Sequence, residues 1–258
     1  MKKVYLAIVT VFIFFVPVLV SASQFGMGER ITLNSVELNE ERELQILLPE
    51  SYHKNLKASY PVIYLLDGDY NFHGVSGILD MLANKGQLIP DVILVGLADK
   101  GTEKYRKYMT PNGSDSPGKA DDKGNAAAFL AFLNKEVQPY IKKHYRASTN
   151  STVVGVSVGG LFVLNALLEA PDSFANYIAV SPAVWVSNSA IVKKAQKKLP
   201  NAKHQPISLY LALADETRMG QYGFINQLDV NPLRNITWSF KHYPDENHNS
   251  VVLIALRD

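Results

Sequence analysis

The chain contains no cysteine. That excludes thiol nucleophiles, thiolate metal sites and disulfide staples. It also excludes a lipid anchor on a cysteine behind the N-terminal apolar segment. No stripe of basic residues is interleaved with aromatics, so no nucleic-acid partner is expected. Internal repeats, low-complexity tracts and interdomain linkers are missing too. With 47% of its 258 residues apolar and 19% charged, the composition speaks against disorder and fibrous architectures. A core of the size this chain can bury does not need disulfides.

The N-terminus is different in kind. Lys2 and Lys3 precede an apolar run from Val4 to Val20, and Val20-Ser21-Ala22 ends it with small residues. This is the layout of a secretory signal peptide over residues 1–22, leaving one domain over 23–258. An uncleaved membrane anchor is the alternative, since the run approaches spanning length, but Pro17 and the small-residue end favour cleavage. Export to the periplasm or the medium is therefore expected, with no stable membrane insertion afterwards. Without Lys2 and Lys3 the 26 basic residues become 24, balancing the 24 acidic ones.

Two short extended segments, 30–38 and 42–48, flank Asn39-Glu40-Glu41 and read as an antiparallel hairpin. Continuous apolar runs at 61–66, 92–97, 152–156, 177–180, 207–213 and 236–242 have the pattern of strands buried on both faces. Helical stretches lie between them, near 75–84, 125–143, 158–169, 190–198 and 219–228. Alternation of this kind predicts a mostly parallel central sheet with helices on both faces. The stretch 99–123, broken by Gly101, Pro111, Gly113, Pro117 and Gly118, reads as a long loop, either a functional lid or a solvated connection.

Chemistry concentrates at Gly155-Val156-Ser157-Val158-Gly159-Gly160, which follows Thr152-Val153-Val154 and precedes Leu161-Phe162-Val163-Leu164. A strand turning into a helix through G-x-S-x-G is the nucleophile elbow of an α/β-hydrolase. A serine hydroxyl needs a base, and the base needs an orienting acid, in the chain order Ser, Asp or Glu, His. Of the histidines after Ser157, His204 sits in a polar stretch before a strand, and His242 lies inside a strand pattern. His248 lies in a polar loop behind the last strand, ahead of an apolar helical run, and is the expected base. Asp215 and Glu216 follow the strand 207–213, and the sequence does not separate them as the acid. Either also suits a helix N-terminus, and a Ser–His dyad remains open. The oxyanion hole needs two N–H donors. Val158, directly after the nucleophile, supplies one; Asp69, in the segment Leu66-Asp67-Gly68-Asp69-Tyr70-Asn71-Phe72 behind an earlier strand, supplies the other.

Four segments together resemble the esterase-D-like branch of the α/β-hydrolases: Tyr64-Leu65-Leu66-Asp67-Gly68, Gly155 to Gly160, Ser181-Pro182-Ala183-Val184-Trp185 and Glu246-Asn247-His248-Asn249-Ser250. That branch includes S-formylglutathione hydrolases, feruloyl esterases, mycolyltransferases and enterobactin-type trilactone hydrolases, and the chain looks most similar to exported siderophore-esterase-like members. The resemblance implies the α/β-hydrolase fold from about Arg30 onward, with Ser157, His248, Asp69 and Val158 in the roles above. It places Trp185 near the substrate cleft, where a core tryptophan is the alternative. Tyr70 and Arg106 are expected substrate contacts, and Tyr105, Arg106, Lys107 and Tyr108 suit an anionic aromatic such as a catecholate siderophore. The chain departs from the pattern at Val156, where relatives carry His. It departs again at Lys107-Tyr108 before Met109-Thr110-Pro111, where relatives carry Arg-Asp before Leu-Thr-Pro. It stops at Arg257-Asp258, where relatives continue.

The reading is an exported serine hydrolase acting on a small-molecule carboxylic ester, with no metal or organic cofactor required. An acyltransferase, or a non-enzymatic binding module on the same scaffold, is the alternative.

Overall fold

Runs rich in Val, Ile, Leu and Tyr become the strands of one eight-stranded sheet, and neighbouring residues along a strand face opposite helical layers. The computed structural model describes residues 27–99, 102–116, 119–201, 205–231 and 235–258. The expected leader at 1–22 and His204 lie outside them. Strands β1 (Glu29–Ser35) and β2 (Glu40–Leu47) form the expected antiparallel hairpin. Then come β3 (Tyr60–Leu65), helix α1 (Gly68–Leu79), β4 (Ile93–Leu97), α2 (Thr102–Met109) and a small pair, β5 (Asp115–Ser116) with β6 (Lys119–Lys123). Helices α3 (Ala126–Phe132) and α4 (Gln138–His144) lead into β7 (Ala147–Val156), α5 (Val158–Glu169), β8 (Asn176–Val180) and α6 (Val186–Lys198). The chain ends with β9 (Ile207–Leu213), α7 (Gln221–Val230), β10 (Ile236–His242) and α8 (Val251–Arg257).

The strand order is β1-β2-β4-β3-β7-β8-β9-β10, with β2 antiparallel to β4 and every later pair parallel. Alternation decides the two cores. Leu65, Leu94 and Val154 pack under Phe72 and Val75 of α1, while Val180 and Ala212 pack under Val251, Val252 and Ala255 of α8. Their neighbours Tyr64, Val95, Val153 and Tyr177 point the other way, toward Phe162 of α5, Phe129 of α3 and Tyr105 of α2. From Gly159 to Leu168 every residue of α5 is buried, and Asn165, the one polar side chain among them, accepts from Lys194 Nζ at 2.7 Å. Adjacent β3 and β7 send the chain in opposite directions, to β4 and to β8. Parallel sheets bind ligands at the carboxyl ends of such a strand pair.

The structure differs from the sequence reading at three places. The hairpin turns at 36–39, three residues early, because Asn39 accepts a left-handed φ of 51° and Leu38 folds under as a buried residue. Helix α1 begins at Gly68 instead of near 75: Asp67 is itself left-handed, and strand passes to helix with almost no loop. The stretch 99–123 is not a long loop but carries α2 and the β5–β6 pair. Tyr105 and Tyr108 of α2 are held by ring contacts to Phe129 at 5.7 and 6.0 Å, an anchor that flanking Gly and Pro conceal from a local reading. The right-handed part of α6 follows a left-handed turn at Ser187, Asn188 and Ser189 and so runs from Ala190, as the sequence predicts. Among the described residues no helix is long and apolar enough to cross a membrane.

Candidate active site

Ser157 sits between the last residue of β7 and the first of α5, at φ 56° and ψ −116°. A non-glycine residue reaches that region only under strain, so the surroundings must hold it there. They do so through backbone bonds. Ser157 N–H donates to the Val180 carbonyl at 3.0 Å, and the Ser157 carbonyl accepts from Ala183 and Leu161 at 2.9 and 3.0 Å. Gly155 is required by proximity: a Cβ there would lie 2.3 Å from the Gly159 carbonyl oxygen. Backbone cannot yield by that much, so Gly155→Ala is expected to cost about 3 kcal/mol or more. Urea unfolding of the variant reads the loss, and wild-type stability would contradict this account of the turn.

The serine opens onto a cavity of about 210 Å³ lined by Val158, His248, Asp67, Tyr70, Arg106 and Met109 among others. Ser157 and His248 come together from chain positions far apart. No side-chain hydrogen bond of Ser157 Oγ forms among the described residues, leaving the hydroxyl open to the cavity. His248 Nδ1 lies 2.7 Å from Glu216 Oε1, with side-chain exposures of 35% and 20%. The approach is off the ring N–H direction, so Nδ1 lacks a well-aligned acceptor, and Glu216 Oε2 is buried without a hydrogen-bond partner. Such looseness is common in unliganded hydrolase sites and tightens around a reacting substrate.

The geometry separates the two acids. Asp215 is exposed, and its N–H donates to the Glu246 carbonyl at 2.9 Å, which ties the loop behind β9 to the loop bearing His248. The chain then turns Glu216, and not Asp215, toward the imidazole. The His248 loop is itself capped: Asn247 Oδ1 accepts from the N–H groups of Asn249 and Ser250 at 3.0 and 3.1 Å, and Ser250 Oγ accepts from Asn247 N–H at 3.0 Å. Asn247 thus holds the turn that carries His248 and leads into α8. Its cap pattern in Asn247-His248-Asn249-Ser250 was available in the sequence.

The remaining expected residues divide. Val158 is the first residue of α5 and lines the cavity. Asp69 is the second residue of α1, not a loop residue. Amides in a first helical turn have no acceptor within the helix, and the helix dipole there favours negative charge. The Asp69 carboxylate turns away from the cavity to Arg30 Nη2 at 2.9 Å, Gln45 Nε2 at 3.0 Å and the Asp99 N–H at 3.1 Å. Burial opposes its ionisation, but the Arg30 bond and charge outweigh it and hold the carboxyl below its usual range. Tyr70, 71% exposed, and Arg106 both line the cavity. Trp185 does not: it stands 47% exposed at the start of α6, its N–H donating to the Met219 carbonyl. Tyr108 is in the core against Phe129, so only Tyr105 and Arg106 of the 105–108 group reach the cavity.

Asp67 also lines the cavity, although the sequence marks it only as part of the segment Leu66 to Phe72. Burial first, then the Asp99 carboxylate, push its carboxyl up to about 7 against the opposing pull of Arg106. No group of three or more His, Cys, Asp or Glu able to hold a metal ion occurs among the described residues.

Comparison with known proteins gives the family and the fold. The family model described as "Putative esterase" matches residues 35–221. The ferri-bacillibactin esterase BesA of Bacillus subtilis is 30% identical over 242 residues, 84% of this chain and 83% of that protein. An IroE-like serine hydrolase from Shewanella oneidensis superposes with a TM-score of 0.79 at 28% identity, covering 88% of this chain and 77% of the other. The siderophore hydrolase EstB of Aspergillus nidulans shares the fold at a TM-score of 0.77 and 22% identity, over 92% and 94% of the two chains. The chain belongs to the "Putative esterase" family and is a carboxylic ester hydrolase with the α/β-hydrolase fold.

Proposed function

We propose that the protein is an exported serine esterase that opens the ester bonds of siderophore-like substrates. The observation that carries the mechanism is the 2.7 Å approach of Glu216 to His248 in the cavity onto which Ser157 opens. Ser157 Oγ attacks the ester carbonyl while His248 takes its proton through Nε2. Glu216 orients the ring and stabilises the imidazolium. The oxyanion rests on the N–H groups of Asp69 and Val158, at the starts of two 12-residue helices. His248 then protonates the departing alcohol. Water, deprotonated by the same imidazole, attacks the acyl-enzyme and frees Ser157.

Substrate class rests on the relatives, which include a ferri-bacillibactin esterase and a siderophore hydrolase, and on the mouth of the cavity. There Arg106 offers a cation and Tyr70 an exposed aromatic face, which suit an anionic aromatic group. Export rests on the basic and apolar residues of 1–22. The expected result is a kcat/KM for a catecholate trilactone at least about 100-fold above that for p-nitrophenyl butyrate, the share that a few charge-assisted and stacking contacts supply. Equal turnover of the two esters would count against the siderophore reading.

A further inference from the structure

Resting on that esterase reading, we propose that Asp67 serves ester cleavage only as an uncharged acid, its ionisation turning off the oxyanion site between Asp69 and Val158. The placement is geometric. Asp67 stands two residues before Asp69, and its left-handed backbone, φ 52° and ψ 48°, folds the side chain back toward the elbow instead of out to solvent. Oδ2 lies 2.9 Å from where a Cβ of Gly159 would be, and Gly159 directly follows Val158. The carboxyl therefore lies against the elbow beside Val158, two residues along the chain from Asp69. Among the described residues its oxygens have no hydrogen-bond partner, although its own N–H donates to the Tyr105 hydroxyl at 3.0 Å.

A negative charge there would meet the negative charge that develops on the substrate oxygen. Neighbouring charges set when this happens. Asp99, behind β4, favours the neutral form, and Arg106 of α2 favours the charged one. Tyr105 of α2 is buried, with its phenol raised well above the ordinary value, and stays neutral. On α1 the Asp69 carboxylate is neutralised by Arg30, and Tyr70 faces the cavity. The elbow contributes no titratable group besides Ser157. Across the cavity stands His248, the general base of the proposed mechanism.

The test is the pH profile of kcat/KM on p-nitrophenyl butyrate from pH 5 to 10, corrected for spontaneous hydrolysis. For the wild type it falls above a midpoint near 7, by about tenfold per pH unit. Asp67→Asn loses that limb and exceeds the wild type at pH 9 by about 100-fold relative to their ratio at pH 6. Asp99→Asn moves the midpoint down, because a neighbour that favours the neutral form is gone. The same ionisation acts on folding. A carboxyl raised in the folded state contributes stability below its unfolded value, about 4, and loses it as pH rises through about 7. The melting temperature of the wild type relative to Asp67→Asn therefore falls between pH 5 and pH 8. Three outcomes overturn the inference: an unchanged falling limb in Asp67→Asn, a folded Asp67→Asn that is inactive at every pH, or a wild type with no falling limb below pH 9. Should Asp67→Asn fail to fold, an unmoved midpoint in Asp99→Asn decides against it. Active protein labelled at Ser157 but lacking the falling limb leaves the esterase reading intact and removes only this one.

Discussion

Ser157→Ala is expected to lower kcat/KM by about 10⁴- to 10⁶-fold, or about 5.5–8 kcal/mol of transition-state stabilisation. The loss is that large because the hydroxyl is the attacking atom of the proposed mechanism, and no other side chain lining the cavity stands at the elbow. What remains is catalysis by the two N–H donors and by binding, which keep a residual rate above that in water. The substitution is structurally mild. Alanine keeps the Cβ at the same strained φ of 56°, and the Ser157 hydroxyl makes no side-chain hydrogen bond among the described residues. The backbone bonds to Val180, Ala183 and Leu161 survive. Melting temperature and KM should therefore stay close to wild type while kcat collapses. A variant that keeps a tenth of the activity would remove Ser157 from the mechanism.

Glu216→Ala is expected to reduce kcat by about 10³- to 10⁴-fold, with KM changed little, because an orienting acid acts on the transition state and not on ground-state binding. Its carboxylate lies 2.7 Å from His248 Nδ1, so its removal frees the ring to turn and leaves the developing imidazolium without a counter-charge. Asp215→Ala makes the matching control. That side chain is exposed, and the backbone N–H that ties it to Glu246 is untouched by truncation, so activity should stay within a few-fold of wild type. The reverse pattern, with Asp215 sensitive and Glu216 indifferent, would require the loop behind β9 to turn the other way.

Much of this site was legible in the chain, for reasons tied to particular residues. Ser157 and His248 stood out because strand, turn and helix signals bracket them, and the order serine, acid, histidine agrees with the order of the loops at the carboxyl ends of β7, β9 and β10. Choosing between Asp215 and Glu216 was beyond local reasoning. Adjacent residues in a turn point to opposite sides, and which side faces the imidazole is fixed by the Asp215–Glu246 backbone bond between two loops. Helix α2 was hidden for a similar reason. Its anchors, Tyr105 and Tyr108, find their partner at Phe129, outside the window in which Gly and Pro read as loop. Asp67 carries no local signal of its own for the cavity, because Asp-Gly after a strand is also ordinary turn chemistry. Only the left-handed φ of 52° and the helix starting at once at Gly68 convert it into a residue of the cavity.

The central claim is that Ser157 is the nucleophile of an acyl-enzyme mechanism, and a fluorophosphonate reads it directly. Intact-mass analysis should show one adduct per chain, peptide mapping should put it on Ser157, and Ser157→Ala should take up none. An unmodified wild-type chain that still cleaves esters, or an adduct retained in Ser157→Ala, would contradict the account.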